Sequence, residues 1–227
     1  MQNNNQSIIK NLFVTGVVFT ALMLAVSAFA WCYLPANAKV PAHWNASGEV
    51  DRYTSKLEGL LLLPLVSAGL FAFFILIAKI EPRIQNLKQS AKAFTAVSVC
   101  VGGILLLIHA TTVAVASGLE INTTTVVAAA LGVLFVVTGN YMGKIRSNYS
   151  LGVRTPWTLS SELSWNKTNR LAGKSLMALG LLTLILAFTT TSLFLICSCG
   201  GLLLVIVAWS CVYSYHVWRN EPESQQA

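Results

Sequence analysis

The side chains best suited to chemistry in this chain lie in two polar segments that interrupt long apolar runs. The first, residues 41–56, holds one histidine and two carboxylates, His43, Glu49 and Asp51. One imidazole and two acids in a turn-rich segment are a weak pattern for a metal site, and we expect none. Asn45 to Gly48 has the composition of a turn. We therefore predict a hairpin-like lid, with His43 and Trp44 packed on the membrane rim.

The second polar segment, from Gly139 to Lys174, holds six of the fifteen Lys and Arg and two of the six Trp. Basic side chains beside tryptophans suit the docking of an acidic or aromatic partner surface. Alternatively, Trp157 and Trp165 are interfacial anchors, while Arg154 and Arg170 contact lipid headgroups. The candidate binding or signalling residues are Asn140, Tyr141, Arg154, Thr155, Pro156, Trp157, Thr158, Trp165, Lys167, Thr168 and Arg170.

A catalytic or cofactor site is not visible in the sequence. Gly139-x-x-x-Gly143-Lys144 resembles a phosphate loop, but it is one residue short between the glycines, and Ile145 replaces the magnesium-binding Ser or Thr. We expect these glycines to end a membrane span and to allow close helix contact instead. No nucleophile with a partner base is found, so we predict no enzyme activity and no cofactor.

One ionisable residue lies deep in an apolar run, His109, with Thr111 and Thr112 close by. Such residues within membrane spans often mark ion or substrate pathways. The simpler interpretation is a histidine that packs between helices. A ligand-binding or proton-carrying role is the alternative, and it would be the starting point of a small transporter or channel.

The composition indicates an all-α integral membrane protein. Charged residues make up 10% of the chain and hydrophobic residues 55%, with a mean hydropathy of +0.67. The apolar runs have the length of about 20 residues that crosses a bilayer as a helix. We predict six spans: Leu12–Tyr33, Leu60–Ala78, Ala93–Ser117, Thr123–Tyr141, Ser175–Thr190 and Ile196–Val217. The turn before the last span falls at residues 189–192 or at Gly200–Gly201.

The distribution of Lys and Arg predicts the orientation, because cytoplasmic flanks carry the positive excess. Twelve lie on the side of the N-terminus and three on the other side, namely Lys39, Arg52 and Lys56. Both termini and the basic segment are then cytoplasmic, and residues 34–57 form an outer loop. The net charge of +7 suits anionic headgroups and implies no direct binding of nucleic acid. Cleavage after Ala30, which would leave five spans, is an alternative.

Four regions follow from these patterns. Residues 1–11 and 219–227 are polar and predicted to be disordered. Residues 12–90 form a front module with two helices, and residues 91–218 form a second module with four. The cytoplasmic loop, residues 141–174, is predicted to contain an interfacial helix. Thr155 with Pro156, or Ser160 to Ser161, would begin that helix.

The chain resembles the SdpI-like immunity protein family at both polar segments. PAHWNASGEVDRYTSK at 41–56 is similar to the family's short front module. GNYM at 139–142, GVRTPWTLSSE at 152–162 and W-x-K-T-x-R at 165–170 are similar to its second module. The sequence departs from the family pattern at Gly143, Ser147 and Asn169. The resemblance covers roughly residues 10–218.

The resemblance implies a multi-pass protein of the bacterial inner membrane. It further implies protection from a secreted peptide toxin that acts on membranes, and, in some members, the holding of a small cytoplasmic repressor at the membrane. Our primary interpretation is such an immunity or signal-sensing protein. The alternatives are a small transporter or channel, and a membrane enzyme that acts on lipid headgroups.

Overall fold

The computed structural model describes residues 3–45 and 47–222, and it consists of eight helices and one β-hairpin within those ranges. In chain order the elements are α1 (Asn3–Tyr33), β1 (Lys39–Trp44), β2 (Val50–Ser55), α2 (Lys56–Ile80), α3 (Ile84–Gln89), α4 (Ala91–Ala116), α5 (Thr123–Met142), α6 (Pro156–Ser160), α7 (Glu162–Thr189) and α8 (Ser192–Arg219).

Six of the described helices, α1, α2, α4, α5, α7 and α8, are long and apolar enough to cross a membrane. This confirms the prediction of an all-α multi-pass membrane protein. Among the described residues, the one β element is the two-stranded hairpin between α1 and α2. The break between the last two spans lies at Thr190 and Thr191, the first of the two predicted positions, and Gly200–Gly201 lies within α8.

The first helix is longer than predicted, because α1 begins at Asn3 within the segment expected to be disordered. Its added turns are held by packing. Ile8 and Leu12 are buried in one cluster with Leu87 and Phe94. Of the predicted disordered ends, residues 1–2 and 223–227 lie outside the described residues, and α8 continues to Arg219.

The predicted interfacial helix between the fourth and fifth spans forms a separate element only over a stretch of 5 residues. Its first part is α6, a single short helix capped by Thr155 with Pro156 at its start. The remainder, from Glu162 onward, is the beginning of α7, which starts with Ser161 as its cap. The polar residues between Glu162 and Lys174 belong to a span helix because the loop before them packs on that helix.

The hairpin is tied to both helices that flank it. β1 and β2 pair antiparallel, with Lys39 opposite Ser55 and Trp44 opposite Val50. Ser55 and Glu58 form a capping box at the start of α2. The ammonium of Lys56 donates to the carbonyl oxygens of Trp31 and Leu34, each at 2.7 Å. Lys56 therefore satisfies carbonyls at the end of α1, where a cation is favoured.

The spans form two groups joined by the contact between α4 and α5. α1, α2 and α4 pack together on one side, and α7 packs with both α5 and α8 on the other. The closest crossing, α5 with α7, uses two glycine pairs. A Cβ on Gly139 would lie 2.5 Å from the carbonyl oxygen of Gly173. A Cβ on Gly180 would lie 2.6 Å from the carbonyl oxygen of Gly132. Small residues permit this approach of two backbones, as predicted for Gly139.

Candidate functional site

A largely apolar groove of about 490 Å³ lies between α5 and α8, beneath the hairpin. We call it the α5–α8 groove. It exists because both helices pack on α7 and leave a space between them on the hairpin side of the protein. Residues of α5 and α8 form its walls: Val127, Ala128, Leu131 and Phe135 on one side, and Leu195, Ile196, Gly200 and Leu203 on the other.

A few polar groups line the groove. The hydroxyl oxygen of Thr123 is buried without a hydrogen-bond partner among the described residues, and the residue is 4% exposed. The Thr183 hydroxyl, which also lines the groove, lies 2.8 Å from the Leu179 carbonyl oxygen and 3.3 Å from the Cys199 sulfur. A buried hydroxyl without a partner is costly, so the groove offers an unused hydrogen bond at its hairpin end.

The predicted outer-loop residues form the roof of this groove. His43, Trp44 and Asn45 line it. His43 Nδ1 lies 2.6 Å from Asp51 Oδ1, which pairs the two exposed side chains across the hairpin. The Asn45 side-chain oxygen accepts from the Ser47 and Glu49 backbone amides, which confirms the predicted turn.

The hairpin tip lies against the starts of both groove helices. Gly48 has φ of 87°, a left-handed conformation that favours glycine. A Cβ at this position would lie 2.7 Å from the Thr124 hydroxyl of α5 and 3.2 Å from the Ser192 hydroxyl of α8. Gly48 therefore permits both the turn and the close seating of the lid.

On the opposite side of the protein, residues 143–155 form a folded loop, which we call the basic loop. Glu81, at the end of α2, is 6% exposed and accepts hydrogen bonds from this loop. Its carboxylate accepts from the Tyr149 amide at 3.1 Å, from the Ser150 hydroxyl and from the Arg83 amide at 3.0 Å. A carboxylate is a strong acceptor for several donors, so Glu81 fixes the centre of the basic loop.

Other residues of the α2–α4 connection also hold the basic loop. Arg83 donates to the Ser147 hydroxyl and to the Leu159 carbonyl, the latter at 2.8 Å. Asn86 donates to the Ser147 carbonyl, and the Ser90 hydroxyl accepts from the Arg146 amide. The Arg83 guanidinium turns inward, because the basic loop and α6 supply its acceptors.

Trp165 and Asn169 of α7 support the basic loop from below. Trp165 is fully buried, and its indole Nε1 donates to the Ile145 carbonyl at 2.7 Å. The Asn169 side chain accepts from the Val153 amide at 2.8 Å and donates to the Trp165 carbonyl. The alternative that Trp165 is an interfacial anchor is wrong, since its ring packs with Ala93 and Ile145 inside the protein.

The predicted threonines of this region are buried as well. The Thr155 hydroxyl lies 2.9 Å from that of Ser214 in α8, and the Thr158 hydroxyl donates to the Val153 carbonyl. The Ser164 hydroxyl donates to the Ser214 carbonyl at 2.9 Å. Thr168 is fully buried, and its hydroxyl oxygen has no partner. These residues join the basic loop to α8.

The remaining predicted residues of this region lie at the surface or at its edge. Arg154 is exposed and donates to the Tyr149 carbonyl. The Trp157 ring meets that of Tyr215 edge-on at 5.2 Å. Lys144 donates to the Asn140 side chain at 3.3 Å and lies over the Tyr141 ring. Pro156, Lys167 and Arg170 are exposed. This set is available to a partner, unlike the buried threonines.

His109 joins three helices of the first group. Its Nε2 lies 2.9 Å from the Ser27 hydroxyl of α1, and that hydroxyl donates to the Leu60 carbonyl of α2 at 2.6 Å. Because Ser27 uses its proton on Leu60, the histidine Nε2 is the donor in this contact. This geometry favours the helix-packing interpretation, although the buried Nδ1 has no hydrogen-bond partner among the described residues.

Sequence reasoning missed the residues that hold the basic loop from a distance. Glu81, Asn86 and Ser214 come from three different helices or helix ends, so spacing along the chain does not relate them to residues 143–155. Asn148 is also fully buried, and its side-chain oxygen accepts from the Ser150 and Leu151 amides. One usable indication was the Glu81-Pro82-Arg83 turn, where a carboxylate follows a span directly.

Comparison with known proteins gives two family matches. Residues 144–214 match the SdpI/YfhL protein family, and residues 18–68 match a domain of unknown function, DUF1648. The chain is also similar to the immunity protein SdpI of Bacillus subtilis (strain 168). The two are 24% identical over 210 residues, which cover 91% of this chain and 96% of that protein. No solved structure matches the chain.

Proposed function

We propose that this multi-pass membrane protein, whose residues 144–214 match the SdpI/YfhL protein family, is a bacterial inner-membrane immunity protein. It protects its cell from a secreted, membrane-active peptide toxin and works without catalysis. Support comes from its relation to a protein named as an immunity protein, along nearly the whole of both chains. The match of residues 18–68 to a domain of unknown function falls on the front module and carries no function of its own.

The α5–α8 groove is the proposed toxin-binding site, and its shape carries the proposal. The groove begins at the hairpin, on the side predicted to face the outside, and its walls are apolar. A membrane-active peptide that arrives from outside meets this opening first. Apolar side chains of the peptide fill the groove, and burial of that surface drives binding.

The polar lining favours a peptide as the occupant. Thr123 offers a buried hydroxyl without a partner, and a peptide carries backbone groups that can pair with it. Cys199 and Gly200 present small surfaces along α8, so a helical peptide can approach closely. The hairpin roof, with His43 and Trp44, closes over the bound segment.

The basic loop is the proposed relay to a cytoplasmic partner such as a small repressor. It contacts α8 through Thr155 and Ser214, and α8 forms one wall of the groove. A shift of α8 on toxin binding therefore reaches Arg154 and Trp157, which lie beside this contact. The exposed Arg154 and the half-buried Trp157 suit an acidic partner surface.

A pair of adjacent glycines provides a matched test. Gly200 lines the groove and Gly201 does not, and a Cβ at either position meets open space. Gly200→Leu is expected to fill the groove and abolish protection of a toxin-sensitive bacterium, while Gly201→Leu retains it. Survival is measured against secreted membrane-active peptides at equal membrane abundance of both variants. Equal protection by both variants would exclude the groove as the binding site.

The relay is tested separately in the same strain. Arg154→Ala is expected to leave cross-linking of the toxin peptide to the protein unchanged, while recruitment of the cytoplasmic partner to the membrane falls. Arg146→Ala is the control, because Arg146 is an exposed arginine of the same loop whose backbone, not its side chain, contacts Ser90. Equal recruitment by wild type and Arg154→Ala would exclude the relay surface.

A further inference from the structure

Three cations surround a small notch of about 300 Å³ at the loop end of α5 and α7. We call it the cation notch, and it consists of Lys144, Arg170 and Lys174 above Gly139 and Met177. In the described ranges 3–45 and 47–222, the one ion pair is His43 with Asp51. The three cations of the notch therefore have no carboxylate partner in the part of the chain that the structure describes.

The backbone brings these charges together through the glycine crossing. Gly139 lies against Gly173, which precedes Lys174. Gly143 comes close enough to α7 that a Cβ on it would lie 3.4 Å from the Arg170 Cα. Arg170 and Lys174 are four residues apart on α7, so they share one face, where like charges disfavour the helix. An anion bound between them removes that repulsion.

We propose that the cation notch binds the phosphate of an anionic phospholipid from the cytoplasmic leaflet. The inference is independent of toxin immunity. A phosphate is the anion that several Lys and Arg side chains recognise together. The choice of a lipid follows from what lies below the charges. Met177 forms the floor of the notch, and Leu181 and Ile185 continue from it at four-residue spacing, 54% and 62% exposed.

That apolar stripe gives an acyl chain a path along α7. Residues three or four apart on a helix share one face, so Lys174, Met177 and Leu181 lead from charge to hydrocarbon in the direction of the membrane interior. Lys144 lies over the Tyr141 ring at 5.6 Å, which places an aromatic ring at headgroup level. An acidic protein segment would use the cations but not the apolar stripe.

Lipid retention by the purified full-length protein tests the proposal. The protein in mild detergent is incubated with phosphatidylglycerol or phosphatidylcholine, and bound lipid is counted by native mass spectrometry. Phosphatidylglycerol is expected to be retained preferentially. Arg170→Gln with Lys174→Gln is expected to weaken that retention roughly ten- to thirtyfold, because two cation contacts to an anionic lipid are lost. Lys144→Gln alone is expected to give a smaller loss.

The matched control removes the same charge elsewhere on this side of the membrane. Lys10 and Lys79 are exposed cations of α1 and α2 outside the notch, so Lys10→Gln with Lys79→Gln is expected to retain phosphatidylglycerol. Equal losses in both double variants would overturn the proposal in favour of general surface attraction. The thermal stability of every variant is measured in zwitterionic detergent. If the double notch variant is less stable than the wild type, the single variant Lys144→Gln provides the test instead.

Two competitors distinguish the lipid from other anions. Inorganic phosphate at millimolar concentration is expected not to displace phosphatidylglycerol, and displacement would indicate a site for free phosphate. A poly-glutamate peptide is expected to bind equally to wild type and notch variant. Peptide binding that depends on Arg170 and Lys174, with unchanged lipid retention, would identify the notch as a protein-docking surface and overturn the lipid assignment.

Discussion

At the residue scale, several buried polar side chains of this protein serve as partners for loop backbone. Glu81, Trp165 and Asn169 each accept from or donate to a backbone group of the basic loop. Backbone amides and carbonyls removed from water need such partners. A loop without regular secondary structure can therefore be buried at the ends of the spans, and its shape depends on a few distant side chains.

Trp165→Phe tests one of these bonds directly. A smaller aromatic ring remains but the indole N–H is lost, so the buried Ile145 carbonyl loses its partner. We expect the free energy of unfolding to fall by about 1–3 kcal/mol. The measurement is reversible unfolding in mixed micelles. Trp209→Phe, at an exposed position of α8, is the control and is expected to change stability little. Equal effects of the two substitutions would contradict a structural role for the bond.

At the element scale, the helices themselves were predictable, while some of their ends were not. The apolar runs identify all six spans because hydropathy reports the middle of a span. Ser161 was among the predicted helix starts, but the continuation of that helix into the fifth span was missed, because its first residues are polar and Ser164, Trp165 and Asn169 are buried by contacts with α8 and the basic loop. The hydrophobic periodicity of one helix gives no information about partners in other parts of the chain. The start of α1 was missed for the same reason.

The α5–α7 crossing makes a second prediction, because it depends on the absence of side chains. Gly139→Ala places a methyl group 2.5 Å from the Gly173 carbonyl oxygen, so the two helices must separate. We expect a loss of stability of about 1–3 kcal/mol or more. Gly103→Ala in α4 meets open space and is expected to be neutral or stabilising by up to about 1 kcal/mol.

Comparison of the thermal unfolding midpoints of these two alanine variants checks the crossing. A lower midpoint for Gly103→Ala than for Gly139→Ala would mean that the close approach contributes little. Because Gly139 also lines the cation notch, the same samples show whether lipid retention changes when the helices separate.

At the scale of the whole molecule, the hairpin and the basic loop lie on opposite sides of the six spans. The number of spans follows from the sequence, and the orientation is a prediction from the charge distribution. The candidate sites were only partly predictable. His43 and Trp44 were found in the outer segment, but the α5–α8 groove beneath them was not, because its walls come from helices that are distant in sequence.

Orientation can be measured by labelling single cysteines with a membrane-impermeant maleimide on intact cells. In a background with the native cysteines replaced, Ser47→Cys at the hairpin tip is expected to react. Arg154→Cys is expected to react only after the cells are opened, because the side with more Lys and Arg faces the cytoplasm. Labelling of Arg154→Cys on intact cells would reverse the orientation and with it the proposed direction from which the toxin arrives.

The bonds between Glu81 and the basic loop also have a consequence for biogenesis. A ribosome delivers α2 to the membrane before it has made residues 149 and 150. The Glu81 carboxylate is therefore hydrated at first, at the level of the lipid headgroups. It becomes buried only when the later residues arrive. The final shape of the surface around the basic loop is thus set after insertion, by a docking step between early and late parts of the nascent chain. A truncated chain that ends before Tyr149 inserts its first spans without their finished surface.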